Sequence, residues 1–255
     1  MRLLDALMLA FSTMSASADV APVPPPRPLT MPPPAIEAPA EPAAATAVPG
    51  EPEPVSELEA APEPEARIYQ SACPAVLEGL IVAEILPPIE DGECRAQSPL
   101  RLEAVNAGGQ SVALTGRPTV TCPLAGAIAG WVVEIDGYAR AALGAGIAEI
   151  VSGTAYQCRQ RNNAADGPLS EHGFANALDV AGFRLSDGRE VTVLADWSSA
   201  GAAATPVGQL LTYAHTAACA RFTTVLGPDA NELHHDHLHL DLACHGATCT
   251  FRLCE

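Results

Sequence analysis

An α+β domain with a small, mostly antiparallel sheet flanked by helices is what residues 68–255 predict, and three observations carry that prediction. Stretches with helical apolar spacing are interleaved with short stretches of period-2 alternation. Turn chemistry such as Ser186-Asp-Gly188 separates them at hairpin distances. All eight cysteines of the chain fall in this part, so the domain is expected to be disulfide-stabilised. Its length suits one full core and leaves little room for a second domain.

Taken in order, residues 1–18 read as a signal peptide, with an apolar run from Leu7 to Phe11 and the small residues Ala16-Ser-Ala18 at the cleavage position. Residues 19–67 hold 15 of the 24 prolines, with repeated Ala and Glu. Such a composition cannot bury enough apolar surface to offset ordering entropy, and it reads as a disordered linker whose extended reach is on the order of 150 Å at ~3.1 Å per residue. Within the domain, Pro123 to Leu143 places Trp131, Ile135, Tyr138 and Ala142 at helical spacing. Ile147 to Val151 is expected as a strand leading into Tyr156-Gln-Cys-Arg159. Leu178 to Leu185 and Glu190 to Leu194 form a hairpin across Ser186-Asp-Gly188, with Asp179 at its start. Pro206 to Ala218 is a second helix, capped by Thr205 with Pro206 at its first position. The lone His215 on it reads as packing or surface. Phe222 to Leu226 is a strand that Gly227-Pro228 ends. The last expected strand runs from His235 to Leu242, with His235, His237, His239 and Asp241 on one face and Leu238, Leu240 and Leu242 toward the core.

Composition excludes several functions. A net charge of −17 argues against nucleic-acid binding, which needs a basic surface. The chain has no lysine, which removes Schiff-base and serine–lysine chemistry, and it has no Gly-x-Ser-x-Gly elbow or glycine-rich phosphate loop. No segment approaches the roughly 20 apolar residues of a transmembrane span. An even number of cysteines and the leader point to a periplasmic or otherwise exported protein; eight cysteines allow 105 pairings, so connectivity stays open.

Two distant stretches carry the chemistry. His172 and Asp179, separated by a segment that Gly173 and Asn176 can bend, are answered by His234-His-Asp-His-Leu-His239. Together they offer one carboxylate and two or more imidazoles, the donor types of a catalytic zinc ion. Along a strand, same-face side chains are about 6.6 to 6.8 Å apart, so one histidine can bind a metal while its neighbour serves as base. A solvated histidine-rich strand face is the alternative.

The Ser-x-His-x(6)-Asp pattern followed by His-x-His resembles the zinc DD-peptidases, the group of D-Ala-D-Ala carboxypeptidases, D-Ala-D-Ala dipeptidases and murein endopeptidase. Ser170 to Phe183 and Val225 through Asp241 more closely resemble the bacterial extensin-like C-terminal domain family, over roughly residues 70–255. The resemblance implies a zinc DD-peptidase-like fold. It also implies zinc on His172, Asp179 and His239, with His237 as general base or transition-state stabiliser. Arg159 would hold the substrate carboxylate or carbonyl, with Arg161 as its competitor, and Ser170 would touch substrate or a ligand. The implied activity is zinc-dependent hydrolysis of amide bonds in peptidoglycan stem peptides; the alternatives are a catalytically silent zinc-containing wall-binding protein and a structural envelope protein. Two departures stand out: Ala175 occupies a position where the dipeptidases have glycine, and Glu232-Leu-His-His235 offers a second register with Glu232 as base and His235 as ligand.

Overall fold

The computed structural model describes residues 71–198 and 205–255, so the expected signal peptide at 1–18 and linker at 19–67 lie outside the described residues. A short helix α1 (Pro74–Leu77) leads into β1 (Ile81–Ile85), the hairpin of β2 (Ile89–Asp91) and β3 (Cys94–Ala96), and then β4 (Pro99–Ala107), β5 (Gln110–Leu114) and β6 (Thr119–Thr121). Helix α2 (Cys122–Leu143), β7 (Ile147–Ser152), β8 (Ala177–Leu185), β9 (Glu190–Thr192) and α3 (Val193–Asp196) follow. The chain closes with α4 (Pro206–Cys219), β10 (Thr224–Leu226), β11 (Leu238–Asp241) and β12 (Leu253–Cys254).

The class is α+β as expected, but the sheet is large: ten strands in the order β1-β4-β5-β7-β8-β11-β10-β12, with β6 on β4 and β9 on β8, while β2 and β3 pair separately. That corrects the expectation of a small sheet. The extra width comes from β1, β4, β5 and β6, a stretch for which the sequence reading assigned nothing. Most pairings are antiparallel; β5 with β7 and β10 with β12 are parallel.

Helix α2 is set by its ends. Thr121 Oγ1 accepts from Leu124 N, Pro123 occupies the first turn, and Gly144 ends the helix at φ 72°, a left-handed position that favours glycine. Leu124, Ile128, Trp131, Val132, Ile135 and Ala139 form its buried face, whereas Ala142, expected on that stripe, lies exposed in the last turn. The helix packs on β4 and α4. Trp131 Nε1 donates to Ala214 O at 2.8 Å and Tyr138 stacks on Tyr213, so the two long helices are fastened by satisfied contacts and not by apolar area alone. The single buried carboxylate of α2, Asp136, is accounted for by Ile147 N and Arg140 Nε, each 2.8 Å away. Helix α4 begins as expected, with Thr205 Oγ1 accepting from Gly208 N. The expected hairpin is present, although its return strand stops at Thr192, whose side chain caps α3.

All eight cysteines are paired: Cys73–Cys122, Cys94–Cys158, Cys219–Cys254 and Cys244–Cys249. The antiparallel register of β8 with β11 matters most for function, because it sets His239 directly opposite Asp179. A slip of one residue would turn one of the two to the other face.

Candidate metal centre

His172 is presented by a 3-10 turn, Glu171–Phe174, that Ser170 caps by accepting His172 N on its hydroxyl at 3.4 Å. Ser170 is buried and lines the cavity, so its visible work is to hold the turn that carries the imidazole. The turn ends at Ala175 with φ 52° and ψ 28°, the left-handed region. That backbone favours glycine, and alanine there costs about 1 kcal/mol. The chain then enters β8, where Asp179 N donates to Thr154 O and Asp179 O accepts from Gly153 N, fixing the carboxylate beside the turn.

His172, Asp179 and His239 meet: one donor atom from each lies within 4.8 Å of the others, and all three residues are deeply buried or nearly so. The tautomer of His172 is set by Ala155, whose carbonyl oxygen is 2.6 Å from Nδ1. A carbonyl only accepts, so Nδ1 carries a hydrogen and Nε2 is the atom directed at Asp179. Nε2 is buried without a hydrogen-bond partner among the described residues, and it stands 3.3 Å from Asp179 Oδ1. At that distance the nitrogen and the carboxylate can share a proton or flank a cation.

His239 is held between two acids, with Nδ1 2.9 Å from Asp179 Oδ1 and Nε2 3.1 Å from Asp241 Oδ2. Burial opposes its charge, but the two carboxylates prevail and push the imidazole up to about 9. Burial likewise works to raise the Asp179 carboxyl, yet His172 and His239 hold it well below the usual carboxylate range. The metal-free centre is therefore an imidazolium–carboxylate cluster. A metal ion held by His239 Nδ1 would take the place of the proton on that nitrogen, with Asp241 keeping the Nε2 hydrogen, the carboxylate–histidine arrangement common behind metal ligands.

The second histidine segment departs from the expected geometry. Strand β11 starts at Leu238, not His235, because Asn231 accepts from Leu233 N and starts a 3-10 turn over Glu232–His234. His235 consequently leaves the shared face: it is exposed, as is Glu232, and neither lines the cavity. The Glu232 and His235 register thus has no place at this centre. His237 does reach it, with Nε2 3.7 Å from Asp179 Oδ1 and Nδ1 bonded to Asp236 Oδ1 at 2.8 Å. His234, which the sequence reading left without a role, is buried in the cavity wall 5.2 Å from the His237 ring. Burial foremost, with the neighbouring His239 and His237, lowers its imidazole to about 4, so it is neutral at pH 7. A capping Asn three residues before it was the available signal.

These groups line a cavity of about 410 Å³. Arg159, Arg161, Asn162, Asn163 and His245 continue its polar lining, and Leu226, Leu233 and Leu253 are its apolar part. Arg161 is engaged within its own loop, with Nε donating to Leu169 O at 3.3 Å and Nη2 3.9 Å from Glu171 Oε1. Among the described residues the Arg159 guanidinium bonds to its near neighbours Gln157 and Gln160, which leaves it better placed to meet a ligand.

The His239 imidazolium has a measurable consequence. Its folded value of about 9 lies above the unfolded 6.5, so its contribution to stability is complete below about pH 6.5 and disappears as pH rises through 9. Chelator-treated protein is expected to melt at progressively lower temperature from pH 6.5 to 9, while affinity for a divalent metal climbs by up to about tenfold per pH unit, one proton being displaced. Melting curves and metal titrations across that range check both trends, and a melting temperature that rises with pH would contradict them.

No curated protein and no solved structure matches the chain. The family model described as extensin-like protein C-terminus matches residues 71–255, every described element from α1 to β12 included, and the chain therefore belongs to the extensin-like C-terminal family.

Proposed function

We propose that this protein is a zinc-dependent hydrolase of amide bonds in peptidoglycan stem peptides, with zinc held by His172 Nε2, Asp179 Oδ1 and His239 Nδ1. The observation that carries the reading is the buried, unpartnered Nε2 of His172 facing Asp179, with His239 completing a three-donor set of the kind zinc uses in catalytic sites. When bound, zinc polarises a carbonyl oxygen and makes water a stronger nucleophile near neutral pH.

The protein's own groups supply the rest. Asp236 takes the Nδ1 hydrogen of His237, which leaves Nε2 as the basic atom on the side of Asp179. In the proposed reaction His237 accepts the proton of the attacking water and passes it to the amine as the C–N bond breaks. His234 is fixed likewise, its Nδ1 2.9 Å from Asn231 Oδ1, and as a neutral imidazole it can hydrogen-bond the reacting carbonyl or the water. Arg159, permanently charged and forked, is assigned to a carboxylate or carbonyl of the substrate. Ser170 and Arg161 support the walls. Export fits the four disulfides, and no helix among the described residues is long and apolar enough to cross a membrane.

His237→Ala separates catalysis from metal binding. The variant is expected to hold zinc as the wild type does and to lose at least about 100-fold in the rate of muropeptide cleavage, the usual scale of a lost general base. Mass analysis of defined muropeptides reads the outcome. Intact muropeptides with zinc-loaded wild type would overturn the hydrolase reading, and retained muropeptide binding would then identify a silent wall-binding domain.

A further inference from the structure

We propose that the Cys94–Cys158 bridge and Gly173 are positioning residues of the metal centre, forming the seat of the turn that presents His172. The inference rests on reading that site as a metal centre. Residues 155–159 are tied both to this turn and to the β2–β3 hairpin. Toward the turn, His172 Nδ1 donates to Ala155 O at 2.6 Å, Gln157 N donates to His172 O at 3.1 Å, and Ser170 N donates to Arg159 O at 3.0 Å. Toward the hairpin, the Tyr156 hydroxyl donates to Asp91 Oδ2 at 3.3 Å and Cys158 is bonded to Cys94. Odd positions of the segment thus hold the histidine turn while even positions hold the hairpin. Arg159 of the same segment lines the cavity, so one set of ties places both a metal ligand and the guanidinium assigned to substrate.

The turn also rests on the bridge directly. A Cβ added at Gly173 would stand 2.6 Å from Cys94 Sγ, inside any real contact distance. Cys94 is fully buried and its sulfur is pinned by Cys158, so it has little room to yield. The φ of Gly173 is not left-handed, and glycine serves here for close approach, not for backbone freedom. Because Gly173 follows His172 in the chain, a shift at this contact moves the backbone of the ligand itself. The competing use of the bridge is a plain staple such as Cys73–Cys122, which spans 49 residues against 64. It is disfavoured because Cys158 stands between the cavity-lining residues Gln157 and Arg159, whereas neither Cys73 nor Cys122 adjoins a lining residue in the chain.

Zinc dissociation constants of the full chain, measured by competition with a chromophoric chelator at a temperature where each variant is folded, test the assignment. The double variant Cys94→Ala, Cys158→Ala is expected to weaken zinc about tenfold, the lower end of what lost support behind a metal ligand costs. Cys73→Ala, Cys122→Ala gives up a similar loop-closure entropy and is expected to bind zinc as the wild type does, which separates positioning from folding. Gly173→Ala leaves every bridge closed and is also expected to weaken zinc about tenfold. In the chain without Cys94 and Cys158 no sulfur remains for its methyl to meet, so there the same substitution should add nothing further. Wild-type affinity in Gly173→Ala, an undiminished effect of it in that second background, or equal affinities in the two bridge variants would overturn the proposal and leave the metal centre standing. A wild-type chain that takes up no zinc would overturn both.

Discussion

His239→Ala is expected to abolish stoichiometric zinc in the purified protein, with affinity lower by at least about 100-fold, the upper end of what loss of a mere outer partner costs. The substitution removes one of three donors and disturbs the other two. Asp179 loses the nearest of its three imidazole partners, at 2.9 Å, and keeps His172 at 3.3 Å and His237 at 3.7 Å. Asp241 is left buried with no imidazole at all. Uncompensated buried charge of this kind typically costs about 3–5 kcal/mol, so the variant should also melt earlier without metal. His235→Ala is the matched control: its ring is exposed and outside the cavity, and both zinc content and melting should stay at wild-type level. Metal analysis after dialysis reads the result. A variant lacking His239 that still carries one tightly held zinc would remove β11 from the centre.

Opening the Cys73–Cys122 bridge should produce a large change in stability, close to that of Cys94–Cys158, which spans 64 residues. Cys73–Cys122 spans 49 residues, and loop-closure entropy for that length is about 4 kcal/mol, or on the order of 10 °C in melting temperature for a domain of this size. The bridge ties the segment before α1 to the start of α2, and β1 beyond it pairs with β4 alone, so the bridge restrains an edge of the sheet. Cys244–Cys249 spans 5 residues, and the same relation gives about 2 kcal/mol. Paired alanine variants of each bridge, unfolded thermally under one buffer, should show the larger loss for Cys73 and Cys122. The opposite order would mean that native contacts around these bridges outweigh chain entropy.

Elements with punctuated ends were legible in the sequence. Helices α2 and α4 announce themselves through Thr–x–Pro and Thr–Pro starts and an apolar stripe, and the β8–β9 hairpin through Ser186-Asp-Gly188. The trio His172, Asp179 and His239 was named through the family resemblance, and the fold brings one donor atom of each within 4.8 Å of the others. The six strands before α2 were not legible. Five of them are three to five residues long, such as β6 at Thr119–Thr121, too short for a period to show. β4 is the exception, nine residues long with Leu100, Leu102 and Ala104 buried in alternation. The start of β11 was misplaced because period-2 alternation of His235, His237 and His239 continues through a segment whose backbone is set instead by the Asn231 cap. That local turn delivers His234 to the cavity wall and turns His235 to solvent, a sorting of adjacent identical side chains that pattern alone cannot make. Asp241 was visible on the face of His239, but its task became apparent only with both nitrogens of that ring accounted for. Cysteine connectivity depends on long-range approach and had no local signature.

Anomalous diffraction at the zinc edge from crystals of the zinc-loaded protein tests the central claim most directly. The expected result is one ion about 2.0–2.2 Å from His172 Nε2, an Asp179 oxygen and His239 Nδ1, with one position open toward the cavity. No ion there, or an ion held instead by exposed groups such as His235, would contradict it.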